Sequence, residues 1–137
     1  MKQNILVVDD STIARSLLKE ILSEEGYGVL LAESGLEMLS SLKSHLPDLI
    51  LLDIHLGDMN GLEACTLIKG DSKTKDIPII LIRGSANAKE WAQGLQLGAV
   101  DCVLKPFNSM ELVVRIHAHL ALSQTNKLLK QTETRLQ

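Results

Sequence analysis

Short aliphatic runs alternate with longer amphipathic segments along most of this chain, and no other feature of the sequence limits the fold as strongly. Nearly continuous aliphatic strands are typical of a parallel sheet that is buried on both faces, and the amphipathic segments then supply the crossover helices. The predicted strands lie at residues 4–8, 29–32, 49–52, 77–82 and 100–104. The pattern predicts one α/β domain, a doubly wound parallel sheet of five strands with five helices.

Between the predicted strands, apolar residues recur at helical spacing and mark the expected buried face of each helix. The expected faces are Ile13, Leu17, Leu18, Ile21 and Leu22; Met38, Leu39 and Leu42; Leu62, Cys65 and Ile68; Trp91, Leu95 and Leu97; and Leu112, Val113, Ile116 and Leu120. Helix starts are predicted where a good N-cap residue stands three positions before a glutamate. These pairs are Ser34 and Glu37, Asn60 and Glu63, Asn87 and Glu90, and Asn108 and Glu111.

Composition argues against several classes of protein. A chain of 137 residues fits one domain, and its three aromatic side chains leave a mainly aliphatic core. The net charge of −3 and the lack of a basic stripe argue against direct nucleic-acid binding by this segment. With no leader and no run of about 18 apolar residues, no membrane partner is expected, and the protein is interpreted as cytoplasmic. Cys65 and Cys102 are expected to be small buried hydrophobes.

Charged residues follow three of the predicted strands directly. Asp9 and Asp10 follow the first strand, Asp53 follows the third, and Lys105 follows the fifth. The carboxyl ends of parallel strands meet at one edge of the sheet, so these side chains are expected to converge there. Clustered carboxylates repel by about 4 kcal/mol per pair at 4 Å and an effective dielectric of 20, so a further cation is needed. Mg²⁺ suits such an oxygen-lined site, whereas the alternative is a set of separate solvated loop residues.

Together these residues resemble the response-regulator receiver domain of two-component signalling. The motifs are Ile5-Leu-Val-Val-Asp-Asp-Ser11, Leu49-Ile-Leu-Leu-Asp53 with Gly61 eight residues later, Ile77-Pro-Ile-Ile80, Gly98-Ala-Val-Asp101 and Leu104-Lys-Pro-Phe107. The resemblance covers about residues 3–122 and implies a flavodoxin-like sheet in the order 2-1-3-4-5. Residues 1–122 are therefore predicted to form the receiver domain.

The resemblance implies a role for each charged residue at the strand ends. Asp53 would be the phosphoacceptor, taking a phosphoryl group from a histidine kinase or phosphotransfer protein. Asp10, Asp53 and the backbone carbonyl of His55 would coordinate Mg²⁺ directly, and Asp9 would hold the ion through water. Lys105 would bind a phosphoryl oxygen. Such a domain is not an enzyme in the usual sense, because it assists only its own phosphorylation and dephosphorylation.

Two residues depart from the family pattern at the expected switch. Arg83 stands 22 residues before Lys105, where the family usually has Thr or Ser, while Gly84 keeps the usual small residue that contacts the phosphoryl group. Cys102 replaces the usual aromatic or histidine three residues before the lysine. The common switch of hydroxyl and aromatic side chains therefore cannot operate in its usual form. The Lys105-Pro106 peptide is expected to be cis, as in the family.

Three roles for Arg83 are open at this point. The guanidinium could donate paired hydrogen bonds to the phosphoryl oxygens, which is the role we favour. It could instead bind Asp53 at rest and compete with Mg²⁺, or it could turn outward onto the surface. Ser85 could supply a hydroxyl in place of the missing one. Trp91, on the predicted fourth helix, is expected to belong to a surface that contacts partners.

The leading functional hypothesis is a switch controlled by phosphorylation of Asp53. The alternative is a pseudo-receiver, an interaction module in which Arg83 fills the pocket and phosphate is never accepted. A phosphatase of the haloacid-dehalogenase type is disfavoured, because His55 stands where those enzymes have a second aspartate. His55 is expected to be exposed, and Gly57 should loosen the loop. No site is assigned to His45, His117 or His119.

Residues 123–137 differ in composition from the preceding domain. They are mostly polar, yet Leu122, Leu129 and Leu136 recur every seven residues, with Ala118, Thr125 and Thr132 four positions before each. One interpretation is a frayed, exposed end of the fifth helix. The other is the start of a signalling helix or coiled coil that pairs in a homodimer and leads to an appended or separate output domain.

Overall fold

The computed structural model describes residues 2–84 and 88–136, with side chains up to residue 132. Within these residues five strands alternate with five helices, as the aliphatic pattern predicts. The strands are β1 (Asn4–Val8), β2 (Gly28–Ala32), β3 (Leu49–Asp53), β4 (Ile79–Arg83) and β5 (Asp101–Leu104), and the helices are α1 (Thr12–Glu24), α2 (Gly35–Ser44), α3 (Gly61–Lys69), α4 (Ala88–Gln96) and α5 (Ser109–Leu136). The predicted strand limits differ from these by at most two residues.

The strands form one parallel sheet in the order β2-β1-β3-β4-β5, which confirms the predicted fold class. Every residue of β3 and β4 is buried, because aliphatic layers cover both faces of the sheet. The register pairs Asp53 with Ile82 of β4, and Arg83 with Leu104 of β5. The close packing of both layers fixes the strand ends, and with them the side chains that leave those ends.

Helix α1 buries only part of the face that was predicted for it. Leu18 and Leu22 are buried, whereas Ile13 is 82% exposed and Leu17 is 47% exposed. The prediction of one shared face was wrong because Ile13 and Leu22 are nine residues apart, which at about 3.6 residues per turn places them on opposite sides of the helix. Ile13 and Leu17 therefore lie on the outer surface.

Helix α4 also packs differently from the prediction. Its buried residue is Gly94, whereas Trp91 is 43% exposed and Leu95 is 45% exposed. A Cβ at Gly94 would collide with Leu81 of β4, so the glycine lets the helix approach the sheet closely. Leu97 follows the helix and is half-buried. Trp91 and Leu95 thus face outward, whereas Leu97 packs against the core as predicted.

Three of the four predicted N-caps lie within the described residues. Ser34 accepts a hydrogen bond from the Glu37 N–H at 3.1 Å, and Asn108 accepts one from the Glu111 N–H at 3.1 Å. Asn60 accepts instead from the Leu62 N–H at 2.7 Å, one residue earlier than expected. The predictions for Ser85 and Asn87 lie outside the described residues.

Helix α5 continues without a break past the predicted domain limit at residue 122. It runs from Ser109 to Leu136, and Leu122 and Leu129 are more than half exposed. The Lys130 Nζ lies 3.4 Å from Asp76 Oδ1, so this part of the helix approaches the turn before β4. The backbone up to Leu136 is helical, and the choice between an exposed helix end and pairing with a second copy stays a prediction.

Both cysteines are free and buried, as predicted. Among the described helices, none has the length and apolar character that spanning a membrane requires.

Candidate metal centre

Three carboxylates and one ammonium meet at the carboxyl edge of the sheet. Asp9 follows β1, Asp53 ends β3, and Asp10 lies beside them, so that one oxygen from each falls within 4.8 Å of the others. Lys105, which follows β5, donates hydrogen bonds to Asp9 Oδ2 at 2.9 Å and to Asp53 Oδ2 at 3.0 Å. The structure thus brings together the four residues that the sequence placed at strand ends.

The three aspartates differ in exposure. Asp9 is fully buried and Asp53 is 4% exposed, whereas Asp10 is exposed to solvent. Asp9 Oδ1 accepts the Ser11 N–H at 2.9 Å, and Asp53 Oδ1 accepts the His55 N–H at 2.9 Å. Each buried carboxylate is therefore held by a backbone donor on one oxygen and by the ammonium on the other. The exposed Asp10 leaves the cluster open on one side.

One ammonium does not balance two buried carboxylates. Burial raises the pKa of Asp53, and the neighbouring charge of Asp9 raises it further, against the hydrogen bonds from His55 and Lys105. Burial by itself would lower the pKa of Lys105, but its hydrogen bonds to Asp9 and Asp53 outweigh burial and raise it. The charged form of Lys105 is therefore favoured by both carboxylates, whereas for Asp53 burial and the charge of Asp9 outweigh the hydrogen bonds from His55 and Lys105.

The donor set at this edge fits a hard divalent cation. Three carboxylates within reach of one point supply oxygen ligands, and the exposed side leaves room for water and for a phosphoryl oxygen. The unbalanced negative charge of the buried pair favours a cation over a neutral ligand. These are the properties expected of a Mg²⁺ site.

Gly61 shapes the backbone behind Asp53. Its N–H donates to the Ile54 carbonyl at 2.7 Å, and a Cβ at this position would lie 2.5 Å from the Asp53 carbonyl oxygen. Only glycine permits this approach, which also brings His55 opposite Asn60 in an isolated bridge. The loop after Asp53 is thereby closed on itself.

Asp58 fastens the same loop to α2, a contact that the sequence analysis missed. Its two carboxylate oxygens accept the Gly35 and Leu36 N–H groups, each at 2.9 Å. These hydrogen bonds to the start of the helix lower the pKa of the Asp58 carboxyl. The loop that was expected to be loosened by Gly57 is thus anchored at the next residue. No local pattern signals the contact, because its partners lie more than 20 residues away.

Arg15 is a second residue that the sequence analysis did not assign to the site. Its Nη1 donates to the Asp9 backbone carbonyl at 2.6 Å, and Nη2 lies 3.8 Å from Glu33. The sequence does offer one signal for this contact, because Arg15 is a basic residue in the first turns of α1, the helix that follows Asp9 and Asp10.

Arg83 lies inside the protein, not on its surface. The residue is 8% exposed, and its guanidinium carbon lies 5.5 Å from the centre of the Trp91 ring. Arg83 also lies beside Cys102, where burial raises the pKa of the thiol and the guanidinium opposes that rise. The suggestion that Arg83 turns outward was therefore wrong, while its role towards a phosphoryl group stays a prediction. Gly84, next in the chain, is exposed.

His55 and Pro106 occupy the rim of the site. The His55 side chain is exposed, as expected, and its Nε2 lies 3.7 Å from Glu90 on α4. The Lys105-Pro106 peptide is cis, as the family resemblance implies. Whether the His55 carbonyl binds a metal stays a prediction.

His119 has a partner that the sequence analysis did not find. Its Nε2 lies 3.1 Å from Asp101 Oδ2 on β5, and Arg115 donates to Asp101 Oδ1 at 2.9 Å. Arg115 also pairs with Glu111, one helical turn earlier, at 2.7 Å. The four-residue spacing of Glu111, Arg115 and His119 signals a common helix face, but it does not reveal the aspartate on the neighbouring strand.

Comparisons with known proteins agree with this fold. The family model described as response regulator receiver domain matches residues 5–117. The chain is 38% identical over 132 residues to the transcriptional regulatory protein YvrH of Bacillus subtilis (strain 168), covering 96% of this chain and 54% of that protein. It is 36% identical over 120 residues to the DNA-binding response regulator MtrA of Mycolicibacterium paratuberculosis, covering 88% of this chain and 52% of that protein.

Solved structures give the same result. The response regulator receiver domain protein (CheY-like) of Methanospirillum hungatei JF-1 superposes with a TM-score of 0.87 at 29% identity, covering 92% of this chain and 99% of that one. The chain spans about half the length of the curated relatives it matches. MtrA is named as DNA-binding. The expectation of no direct contact with nucleic acid is therefore not supported for full-length relatives of this kind.

Replacing Asp53 by asparagine removes one clustered charge and keeps an oxygen that accepts hydrogen bonds. The pKa of Asp53 in the folded protein lies above its ordinary 3.8. Ionisation of this carboxyl therefore costs more in the folded than in the unfolded chain, and the free energy of unfolding falls as pH rises above 3.8. We expect Asp53→Asn to raise the urea midpoint at neutral pH without metal, and this gain to shrink as pH falls towards 3.8. Asp10→Asn should act in the same direction.

Glu20→Gln, on the exposed side of α1, is the matched control for loss of one negative charge. It should change the free energy of unfolding by less than about 0.5 kcal/mol. A lower or unchanged midpoint for Asp53→Asn would contradict the account of an unbalanced carboxylate cluster.

Asp58→Asn should have the opposite effect to Asp53→Asn. The lowered pKa of Asp58 means that its ionised form stabilises the fold above its ordinary 3.8, and that this stabilisation is lost as pH falls through the pKa of the folded protein. We expect a lower urea midpoint for Asp58→Asn at neutral pH and a deficit that disappears in acid. A deficit of equal size at every pH would show that the charge of Asp58 is not what anchors the loop.

Proposed function

Because this chain belongs to the response regulator receiver domain family, we propose that it is a signalling switch controlled by phosphorylation of Asp53. Receiver domains are signalling domains and not enzymes in the usual sense. The donor in this proposal is a phosphohistidine on a histidine kinase or a phosphotransfer protein. The observation that supports the proposal is the cluster that Asp53 forms with Asp9, Asp10 and Lys105.

Asp53 is the nucleophile in this scheme. One carboxylate oxygen forms a bond to phosphorus while the phosphorus–nitrogen bond of the donor breaks, and the departing imidazole keeps the electron pair. The incomplete compensation of its charge leaves the Asp53 carboxylate reactive. Its other contacts, to the His55 N–H and to Lys105, fix the direction in which the oxygens point.

The proposed metal ligands are Asp10, Asp53 and the His55 carbonyl, with Asp9 acting through water. When bound, Mg²⁺ neutralises charge on the transferring phosphoryl group and aligns it with the acceptor oxygen. Asp9 also holds Lys105 by a 2.9 Å hydrogen bond, so that the ammonium stays at the site. Lys105 then binds a phosphoryl oxygen as a compact charge.

Arg83 takes the place of the usual hydroxyl in the proposal. A planar guanidinium can donate two parallel hydrogen bonds to phosphoryl oxygens, and Gly84 leaves room for them. The exposed apolar residues Trp91, Leu95 and Leu104, on α4 and β5, supply a surface on which a change at Asp53 can be read by a partner.

A pseudo-receiver is the second candidate, and one observation favours it. Arg83 is buried against Trp91, so a guanidinium that never leaves this position would leave the pocket without its usual switch residue. Against it stands the destabilising carboxylate cluster, which an interaction module has no need to keep. The two candidates differ in one property, the acceptance of a phosphoryl group.

The output of the switch is also a proposal, because the chain matches only about half of its curated relatives. YvrH is named as a transcriptional regulatory protein and MtrA as a DNA-binding response regulator. We propose that this chain likewise controls an appended or separate output domain. One arrangement that would allow this control is a homodimer in which the exposed leucines of α5 pair with those of a second copy.

Intact mass after incubation with Mg²⁺ and a small phosphodonor, such as acetyl phosphate, tests the function directly. The wild-type chain should gain the mass of one phosphoryl group, and removal of Mg²⁺ by a chelator should abolish the gain. Asp53→Asn should gain nothing, whereas Asp58→Asn, which keeps the acceptor, should still be modified. No added mass on the wild-type chain, beside a receiver domain that is modified under the same conditions, would favour the pseudo-receiver.

A further inference from the structure

We propose that Asp58 is a positioning residue for the metal site and sets its affinity for Mg²⁺. Asp58 holds the loop between β3 and α3 against the start of α2, and this loop carries the His55 carbonyl. The inference rests on the proposed function, which makes the Asp53 carboxylate and the His55 carbonyl ligands of Mg²⁺. It gives the start of α2, which carries none of the proposed ligands, control over the metal site.

Asp58 binds the start of α2 through two backbone donors. Its Oδ1 accepts the Gly35 N–H and its Oδ2 accepts the Leu36 N–H, each at 2.9 Å. Both groups lie in the first turn of the helix, where backbone donors lack partners within the helix and the helix dipole favours a negative charge. The lowered pKa of the Asp58 carboxyl has the same cause, since these hydrogen bonds favour its ionised form.

Met59 adds a packing contact beside these hydrogen bonds. Its side chain lies so close to Gly35 that a Cβ at the glycine would collide with it. Met59 is partly buried and packs against the hydrophobic core on the same side of the sheet. Two consecutive residues, 58 and 59, therefore attach the loop to α2, one by charge-assisted hydrogen bonds and the other by packing.

The backbone of the loop connects this attachment to the proposed metal ligands. The His55 N–H donates to Asp53 Oδ1 at 2.9 Å, and His55 forms an isolated bridge with Asn60, beyond Asp58 in the chain. The Gly61 N–H closes the base of the loop on the Ile54 carbonyl at 2.7 Å. A loop that is closed at its base and attached at its tip leaves the His55 peptide few alternative positions. Loss of the attachment therefore loosens the ligands without replacing any of them.

The segment that leads into α2 is itself attached to the other half of the site. Glu33 lies 3.8 Å from Arg15 Nη2, and Arg15 Nη1 donates to the Asp9 carbonyl at 2.6 Å. The Asp9 N–H donates to the Ala32 carbonyl at 3.1 Å. This segment thus contacts the end of β1 on one side and, through Asp58, the loop after β3 on the other.

Metal binding and the Asp58 contact must then strengthen each other. A ligand shifts an equilibrium only by its differential affinity for the two states, and the coupling between two sites is reciprocal. Asp58 favours the loop position that binds Mg²⁺, so bound Mg²⁺ favours the contact of Asp58 with the Gly35 and Leu36 N–H groups. The coupling can therefore be measured from the metal and from the helix.

Calorimetric titration with Mg²⁺ tests the inference. Asp58→Asn removes the charge, and its dissociation constant for Mg²⁺ should rise about tenfold, the low end of the range for groups that orient metal ligands. The Mg²⁺ concentration that gives half the maximal rate of phosphorylation by acetyl phosphate should rise equally, while the rate at saturating Mg²⁺ stays at the wild-type value. In the wild type, Mg²⁺ should slow hydrogen exchange at Gly35 and Leu36 but not at Lys73, whose N–H donates to Asp71 in the turn before β4.

Two control variants separate the possible causes. Glu37→Gln removes a negative charge from the same turn of α2, and Thr74→Val removes a buried hydrogen bond to the Ile68 carbonyl, away from the site. Both should bind Mg²⁺ like the wild type. An unchanged constant for Asp58→Asn would overturn the inference, and so would an equal rise in either control or a wild type that binds no Mg²⁺. A wild type that binds Mg²⁺ but gains no phosphoryl mass counts against the proposed function instead, and the titration still decides the role of Asp58.

Discussion

The shared ammonium of Lys105 is the interaction on which the site depends. Lys105 follows β5, whereas Asp9 follows β1 and Asp53 ends β3. The ammonium thus joins two buried carboxylates from other strands at the edge of the sheet. A single positive charge between two negative ones leaves the cluster anionic, which is the state that a divalent cation would relieve. The aliphatic layers on both faces of β1, β3 and β4 supply the stability that offsets this cost.

The loops around the site are fastened by contacts of different kinds. Gly61 allows the chain after Asp53 to close tightly, and Asp58 binds the start of α2 through two backbone N–H groups. On the other side, His55 and Arg83 both reach α4, the first through Glu90 and the second through Trp91. The surroundings of Asp53 are thus rigid towards α2 and linked by side chains to α4, where the exposed apolar residues lie.

The sequence predicted what depends on local pattern and on the geometry of parallel strands. Five aliphatic runs were enough to predict the sheet, and the charged residues after three of them predicted the cluster at its edge. The exposure of Ile13 and the outward stripe of α4 were missed, because a list of apolar residues does not say which of them face the sheet. Asp58 and the Asp101–His119 pair were missed because their partners are distant in sequence.

The most direct test of the central claim is to locate the metal with a paramagnetic ion. Mn²⁺ prefers the same oxygen ligands as Mg²⁺, and it broadens the NMR signals of nearby amides. The account predicts that substoichiometric Mn²⁺ broadens the amides of Asp10, Asp53 and Lys105 first and leaves those of Asp48 and Asp76, before the strands, sharp. Excess Mg²⁺ should restore the lost signals. Broadening centred on any other group of carboxylates, or none at all, would contradict the claim that these residues form one metal site.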